Sequence, residues 1–433
     1  MTFLLAHAIS SRADLPLPLW LFVYGAGGAV VASFAALAVL WPRARFEGTA
    51  GVPLSPVVEA AARVATALAR VLGVVLFVAV LVSAWDGATT PDRNLAPTMV
   101  YVIFWVGLIV VSALVGNVWA AVSPYATLAR LRQRYGPPPR PIPERWGQWP
   151  AAVLLLGFAW LELVYPNPAS PRAVAVAVTV YSAITLAGVS VWGRAWLDHG
   201  EAFGVLFGLL SHIAPFSRDG DGTLRVRVPL AGLASLEPKP GTAGVVLAAL
   251  GSTSYDGLSR TRLFPSIVGT RFGWGLVPAA TFLLLAILAA VAIAFGYAME
   301  IAARVTGQTQ SGMTRAFVQS LVPIVLAYAV AHYFSLLVFQ GQAAYALVSD
   351  PLGRGWNLFR TAGRPIDYLL VSTRTIALVQ AGAIVIGHIS GVVSAHDRAV
   401  ARFRPRVAVR SQYPLLAVMV LYTVGGLTLL LSG

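Results

Sequence analysis

The chain has 433 residues, of which 58% are hydrophobic and only 11% charged, with a net charge of +14 and no cysteine. Soluble domains carry about 25% charged residues, so this composition excludes a soluble globular protein and indicates an integral membrane protein. Without cysteine there are no disulfides, thiolate metal sites or cysteine nucleophiles, and any metal must be held by His, Asp, Glu or backbone groups. The positive charge does not imply a nucleic-acid partner, because the arginines fall mostly between hydrophobic segments, where the positive-inside rule accounts for them.

The N-terminal MTFLLAHAISSRADLPLPLW lacks the basic start and long apolar core of a signal peptide, so no cleavage is expected there. Apolar runs bounded by turns or charges then predict crossings near 18–41, 65–85, 97–121, 149–165, 173–192, 201–217, 274–299, 316–346, 374–395 and 413–432. Most approach the roughly 20 residues that a helix needs to cross a bilayer, and they lack the alternation of a barrel strand. The expected fold is therefore an all-α bundle of about ten transmembrane helices, forming one polytopic domain over 1–433. The sixth run, EAFGVLFGLLSHIAPF, is short and carries His212, so it reads either as a crossing or as a re-entrant or interfacial helix.

Charge bias gives the orientation. Arg43, Arg45 and Arg63 follow the first run, Arg130, Arg132, Arg134, Arg140 and Arg145 the third, and Arg398, Arg402, Arg404, Arg406 and Arg410 the ninth, so these loops are expected in the cytoplasm and both termini outside. That parity holds only if 201–217, or another part of 200–271, traverses the membrane. The stretch 218–271 is the longest non-spanning insert and holds the only lysine, Lys239; its LRVRVPL alternates as a short strand does, predicting a small β excursion on the outer face. No internal repeat is visible, so the inverted-repeat signature of many secondary transporters is missing.

Ionisable groups at membrane depth are costly and mark candidate sites. YAVAHYFS places Tyr328 and His332 four residues apart on one helical face, and GHISGVVSAHDR sets His388 deep in the ninth run, amid Gly382, Gly387, Ser390 and Gly391, which permit close helix approach. The two histidines are either neutral hydrogen-bonding groups or ligands to a metal. His388 and His396 lie about 80° apart around a helix and about 12 Å apart along it, so they cannot share a metal on a regular helix. His332 with His388 is the better pair, while His396 and Asp397 form either a cytoplasmic-edge site or, with Arg398, an ordinary interfacial cluster.

Two further stretches fall on the expected outer face. WDGATTPDRNLAPT contributes Asp86, Asp92 and Asn94; GSTSYDGLSRT contributes Ser252, Thr253, Ser254, Asp256 and Arg260, with Arg262 just beyond. They meet either over the mouth of a cavity or serve only as turns and caps. Carboxylates with imidazoles suit zinc, manganese or iron, and arginines suit an oxygen-rich substrate. Asp198, His199 and Glu201 cluster at a helix start, where capping is the expected role.

The order of WDG…PDRNLAPTMVYVIFWVGL (85–108), VWAAVSPYATLARL (118–131), HGEAFGVLFGLLSHIAPF (199–216), LGSTSYDGLSRT (250–261), AYAVAHYFSLLVFQGQ (327–342) and GHISGVVSAHDRA (387–399) resembles bacterial polytopic membrane proteins of the fenitrothion hydrolase-like (aryldialkylphosphatase) family. The likeness covers most of the chain, with Ser123-Pro124-Tyr125 departing from the Asn-Pro-Trp expected there. It implies a cell-membrane hydrolase of organophosphate triesters, acting on an apolar small molecule of a kind that partitions into the lipid bilayer. A divalent metal with an open position would supply hydroxide and polarise the phosphoryl group. In that expectation His332 and His388 hold the metal with Asp256 or Asp86, and Arg260 orients the substrate. The helix faces would accommodate a small membrane subunit or a second copy. The alternative is a secondary transporter or proton-coupled protein using His332 and His388 as a relay; a haem protein using them axially is a third reading.

Overall fold

The computed structural model describes residues 19–49, 51–219 and 221–432, and the N-terminal stretch read for a signal peptide lies almost wholly outside them. In chain order the principal helices are α1 (Leu19–Leu40), α2 (Pro56–Asp86), α3 (Leu95–Val115), α4 (Pro124–Tyr135), α5 (Trp149–Leu163), α6 (Pro171–Trp192), α7 (Ala202–Leu210), α8 (Thr242–Ser259), α9 (Val277–Thr306), α10 (Gln310–Leu347), α11 (Thr373–Arg402) and α12 (Pro405–Ser432). Among the described residues, eight of these helices are long and apolar enough to cross a membrane: α1, α2, α3, α6, α9, α10, α11 and α12. The protein is a multi-pass helical bundle.

Local chemistry sets the helix starts. Ser55 accepts from the Val58 amide, with Pro56 in the first turn of α2, and Asn94 accepts from the Ala96 amide to open α3. Helix α3 is not regular: Met99–Gly107 is π-helical, and the chain breaks at Gly116 (φ +123°), so the run expected to continue to 121 ends at Val115.

The stretch 200–271 departs most from expectation. Helix α7 has nine residues, about 13 Å at 1.5 Å per residue, against a hydrocarbon core of roughly 30 Å. Its two flanks lie at one end of the bundle. Before it, the Asp198 carbonyl accepts from Gln148 at the start of α5; after it, Phe216–Arg218 (β2) pairs with Leu224–Val226 (β3), which pairs antiparallel with Val52–Pro53 (β1) in the loop after α1. The run 201–217 therefore leaves and returns at the same end. The predicted β excursion exists, but beside the loop of Arg43 and Arg45, not on the opposite face where the sequence reading put it.

The traverse that parity demands comes from within the supposed insert. Thr242 at the start of α8 donates to Gln148 Oε1 at 2.6 Å, and Tyr255 near its other end packs with Val164, Ala280 and Leu284, at the far end of α5 and the near end of α9. Helix α8 thus runs between the two ends of the bundle, packed on α5, α9 and α10. Its Gly244, Gly251, Ser252 and Thr253 make it look like a loop by hydropathy. A helix enclosed by other helices has no need of apolar side chains facing lipid, and small residues let neighbours approach.

The same rule fixes the pairing of α10 with α11. A Cβ at Gly387 would sit 2.1 Å from Ala327 Cβ, and one at Gly391 would sit 2.7 Å from the Ser320 carbonyl oxygen. Gly387→Leu is accordingly expected to force the helices apart at a cost of about 1–3 kcal/mol, seen as a lower Tm of the purified protein. An unchanged Tm would disprove the close approach.

Candidate active site within the bundle

A cavity of about 360 Å³ lies among α8, α9, α10 and α12. Most of its wall is aliphatic, and the polar exceptions are Thr253, Ser254, Tyr328, His332 and Tyr422. Four lining residues, Ala290, Ala294, Leu421 and Gly425, are also exposed on the flank of the bundle, so the cavity opens sideways between α9 and α12.

The polar wall is built from three helices. Ser254 Oγ and the Tyr422 hydroxyl are 2.5 Å apart, Tyr422 donates to the Leu250 carbonyl at 2.8 Å, and Tyr328 donates to the Tyr422 carbonyl at 2.7 Å. His332 Nε2 lies 3.0 Å from the Thr253 carbonyl oxygen. A carbonyl only accepts, so Nε2 carries the proton and Nδ1 is left as the basic nitrogen. Behind the ring, Asp256 Oδ2 is 4.0 Å from Nε2, and Asp256 Oδ1 accepts from Arg260 Nη2 at 2.7 Å and Nε at 3.1 Å. Gly257 makes room: a Cβ there would come within 3.3 Å of His332 Nε2.

Thus Asp256, Arg260 and His332 come together as an ordered set. The i,i+4 spacing of Asp256 and Arg260 makes their contact local, whereas His332 arrives from α10. The Asp256 side chain is 3% exposed. Arg260→Ala therefore leaves a buried carboxylate without its strongest partner, an expected loss of about 3 kcal/mol measurable by thermal unfolding; equal stability of the variant would contradict the pairing.

The other expected residues are elsewhere. His388 is fully buried; its Nδ1 donates to the Ile384 carbonyl at 2.8 Å, and its ring packs 5.8 Å from Tyr328 and 6.3 Å from Tyr422, behind the cavity wall and not in it. His396 and Asp397 lie at the arginine-rich end. There His396 Nε2 donates to the Trp41 carbonyl, while Asp397 accepts from Trp41 Nε1 at 2.9 Å and from the amides of Arg45 and Phe46 at 2.6 and 3.3 Å. That cluster pins the loop after α1. Asp86 pairs with Arg354 and is 67% exposed, so it is engaged away from Asp256. Glu201 accepts from the amides of Phe203 and Gly204, from Trp119 Nε1 and from the Tyr181 hydroxyl, capping α7 as its position suggested.

Metal ligation was the expectation for these histidines, and what the described residues show of it is limited to the following. Among the described residues no three His, Asp or Glu side chains converge as ligands. His332 donates from one ring nitrogen to the Thr253 carbonyl and His388 from one to the Ile384 carbonyl, which leaves the other nitrogen of each ring as its basic one.

Two residues of the site have no counterpart in the sequence reading. Glu162 accepts from the Tyr333 hydroxyl at 3.2 Å and lies within electrostatic reach of Asp256 and Arg260. An acid inside LLLGFAWLELVY is itself a marker of a membrane-depth site. Tyr422 carries no comparable signal, being one aromatic in an apolar run. No family model, curated protein or solved structure matches this chain.

Proposed function

We propose that this protein takes an apolar small molecule sideways from the bilayer into the cavity and hydrolyses it there. Phosphotriesters are the substrate class that the sequence resemblance names. The observation that carries this reading is the aliphatic, side-opening cavity with His332, backed by Asp256 and Arg260, in its wall. In this reading the chain crosses the cell membrane ten times, the eight long helices being joined by α5 and α8. The arginine-rich end faces the cytoplasm and both termini lie outside.

The chemistry asked of the residues is general-base hydrolysis. Water attacks phosphorus as its first proton passes to His332 Nδ1 and the bond to the aryloxide breaks; the phosphodiester so formed loses its remaining proton to bulk water, and the imidazolium then returns its proton to water, leaving a phosphodiester anion and a phenolate. Asp256 stabilises the imidazolium so formed, and Arg260 keeps that carboxylate in place. Both products are anions, which favours their release from an aliphatic cavity.

The test is nitrophenolate release from an aryl phosphotriester by the full chain in liposomes, with and without EDTA. Turnover that survives EDTA is the expected result. Loss restored by zinc would return the site to metal chemistry. Movement of the intact triester across the vesicle wall without nitrophenolate would overturn the hydrolase in favour of a transporter.

A further inference from the structure

At the arginine-rich end, α2, α4 and α6 pack against one another. Each brings an arginine to the same place: Arg70 from α2, Arg130 from α4, and Arg194 just beyond α6. Burial and the two neighbouring cations, Arg70 and Arg194, hold the Arg130 guanidinium below its usual range, and no acid acts on it. None of the three takes part in an ion pair among the described residues. Arg130 Nη2 donates to the Ala120 carbonyl at 3.2 Å, yet Arg130 Nη1 and Arg70 Nε are both shielded from solvent and meet no acceptor. Clustered like charges with unmet donors are costly to fold, so an acceptor of opposite charge is missing from the protein itself.

The level of the cluster identifies that acceptor. Arg70 is the last charge before the apolar run VLGVVLFVAVLVSAW, whose Val71, Leu72 and Val75 are 65%, 56% and 57% exposed on the outside of the bundle. On α4, Leu128 and Leu131 are 44% and 51% exposed, although Arg130, Arg132 and Arg134 surround them. Such a helix lies in the plane of the interface with its leucines in the acyl region. The guanidinium donors are therefore at headgroup height, and planar forks match phosphate oxygens.

We infer that Arg70, Arg130 and Arg194 form a binding site for the phosphate of an anionic membrane lipid in the cytoplasmic leaflet. The site fixes α4 against α2 and α6 and is separate from the cavity. Its lipid is held by charge and hydrogen bonds from three chain segments, beyond the general attraction of a basic surface.

The experiment uses the purified full chain in nanodiscs of phosphatidylcholine alone or doped with phosphatidylglycerol, reading Tm and, by native mass spectrometry, retained lipid. Wild type should gain Tm with phosphatidylglycerol and retain it. Arg130→Gln should lose about fivefold in retention, and Arg70→Gln with Arg130→Gln more. In phosphatidylcholine alone, Arg130→Gln should be at least as stable as wild type, because a repulsion has been relieved; that arm also shows that the variant folds. Arg134→Gln, which removes the same charge from α4 outside the cluster, should behave as wild type. Equal phosphatidylglycerol retention by Arg130→Gln and wild type would overturn the site. Equal protection by inorganic phosphate in phosphatidylcholine nanodiscs would overturn the lipid as its source.

Discussion

Replacing His332 with glutamine is expected to lower phosphotriester turnover by about 10²–10⁴-fold, the usual contribution of a positioned general base. Glutamine can still donate to the Thr253 carbonyl that His332 Nε2 meets at 3.0 Å, so the wall of the cavity should keep its shape while losing its basic nitrogen. Asp256→Asn is a different test, since it leaves the base in place and removes the charge that stabilises the imidazolium; a smaller fall is expected, with its pH profile displaced. His388→Ala should leave turnover within a few-fold of wild type. That is the reverse of what a shared metal would require, and it follows from the position of His388 behind Tyr328 and Tyr422. The measurement is initial rate at matched protein level in membranes. Full activity in His332→Gln would remove His332 from the chemistry, and a loss in His388→Ala as large as that in His332→Gln would restore the two-histidine site.

The long helices were legible because lipid imposes one demand on the side chains that face it, and α1, α2 and α9 meet it almost without interruption. The same rule hides whatever faces protein. Helix α8 carries Asp256 and a run of glycine, serine and threonine, yet it passes through the bundle because α5, α9 and α10 surround it. Conversely, 201–217 is apolar enough to suggest a crossing, but its hydrophobic residues Phe203, Phe207 and Leu210 are buried against protein, with Glu201 tying its start to Trp119 and Tyr181. Hydropathy measures what a segment can dissolve in, not where its ends are tied. Site residues divide along a similar line. Asp256 with Arg260 is a local spacing and readable, and His332 stands out as a charge-capable group at depth. That His332 faces Asp256 while His388 packs behind Tyr328 and Tyr422 depends on how α10 and α11 rotate about their glycine contact, which no spacing within one helix encodes.

Closing the side opening should matter nearly as much as removing the base. Gly425 lines the cavity on α12, and a Cβ added there meets nothing within 4 Å, so Gly425→Leu can be accommodated without moving backbone. The cavity, at about 360 Å³, is near the lower bound of roughly 300 Å³ for small-molecule sites, and a leucine projecting into its mouth would leave too little room for an aryl ring. The expected result is at least a tenfold fall in turnover of an apolar triester, with Tm unchanged. Gly426→Leu is the contrasting variant: its Cβ would come within 1.9 Å of the Tyr328 hydroxyl, so it should displace Tyr328 from the Tyr422 carbonyl and lower Tm as well as rate. A bilayer route makes a further demand. Because the mouth faces the flank of the bundle, rates in liposomes should follow the concentration of triester dissolved in the membrane, and Gly425→Leu should abolish that dependence. If Gly425→Leu turned over the triester as wild type does, access between α9 and α12 would be disproved, whatever the role of His332.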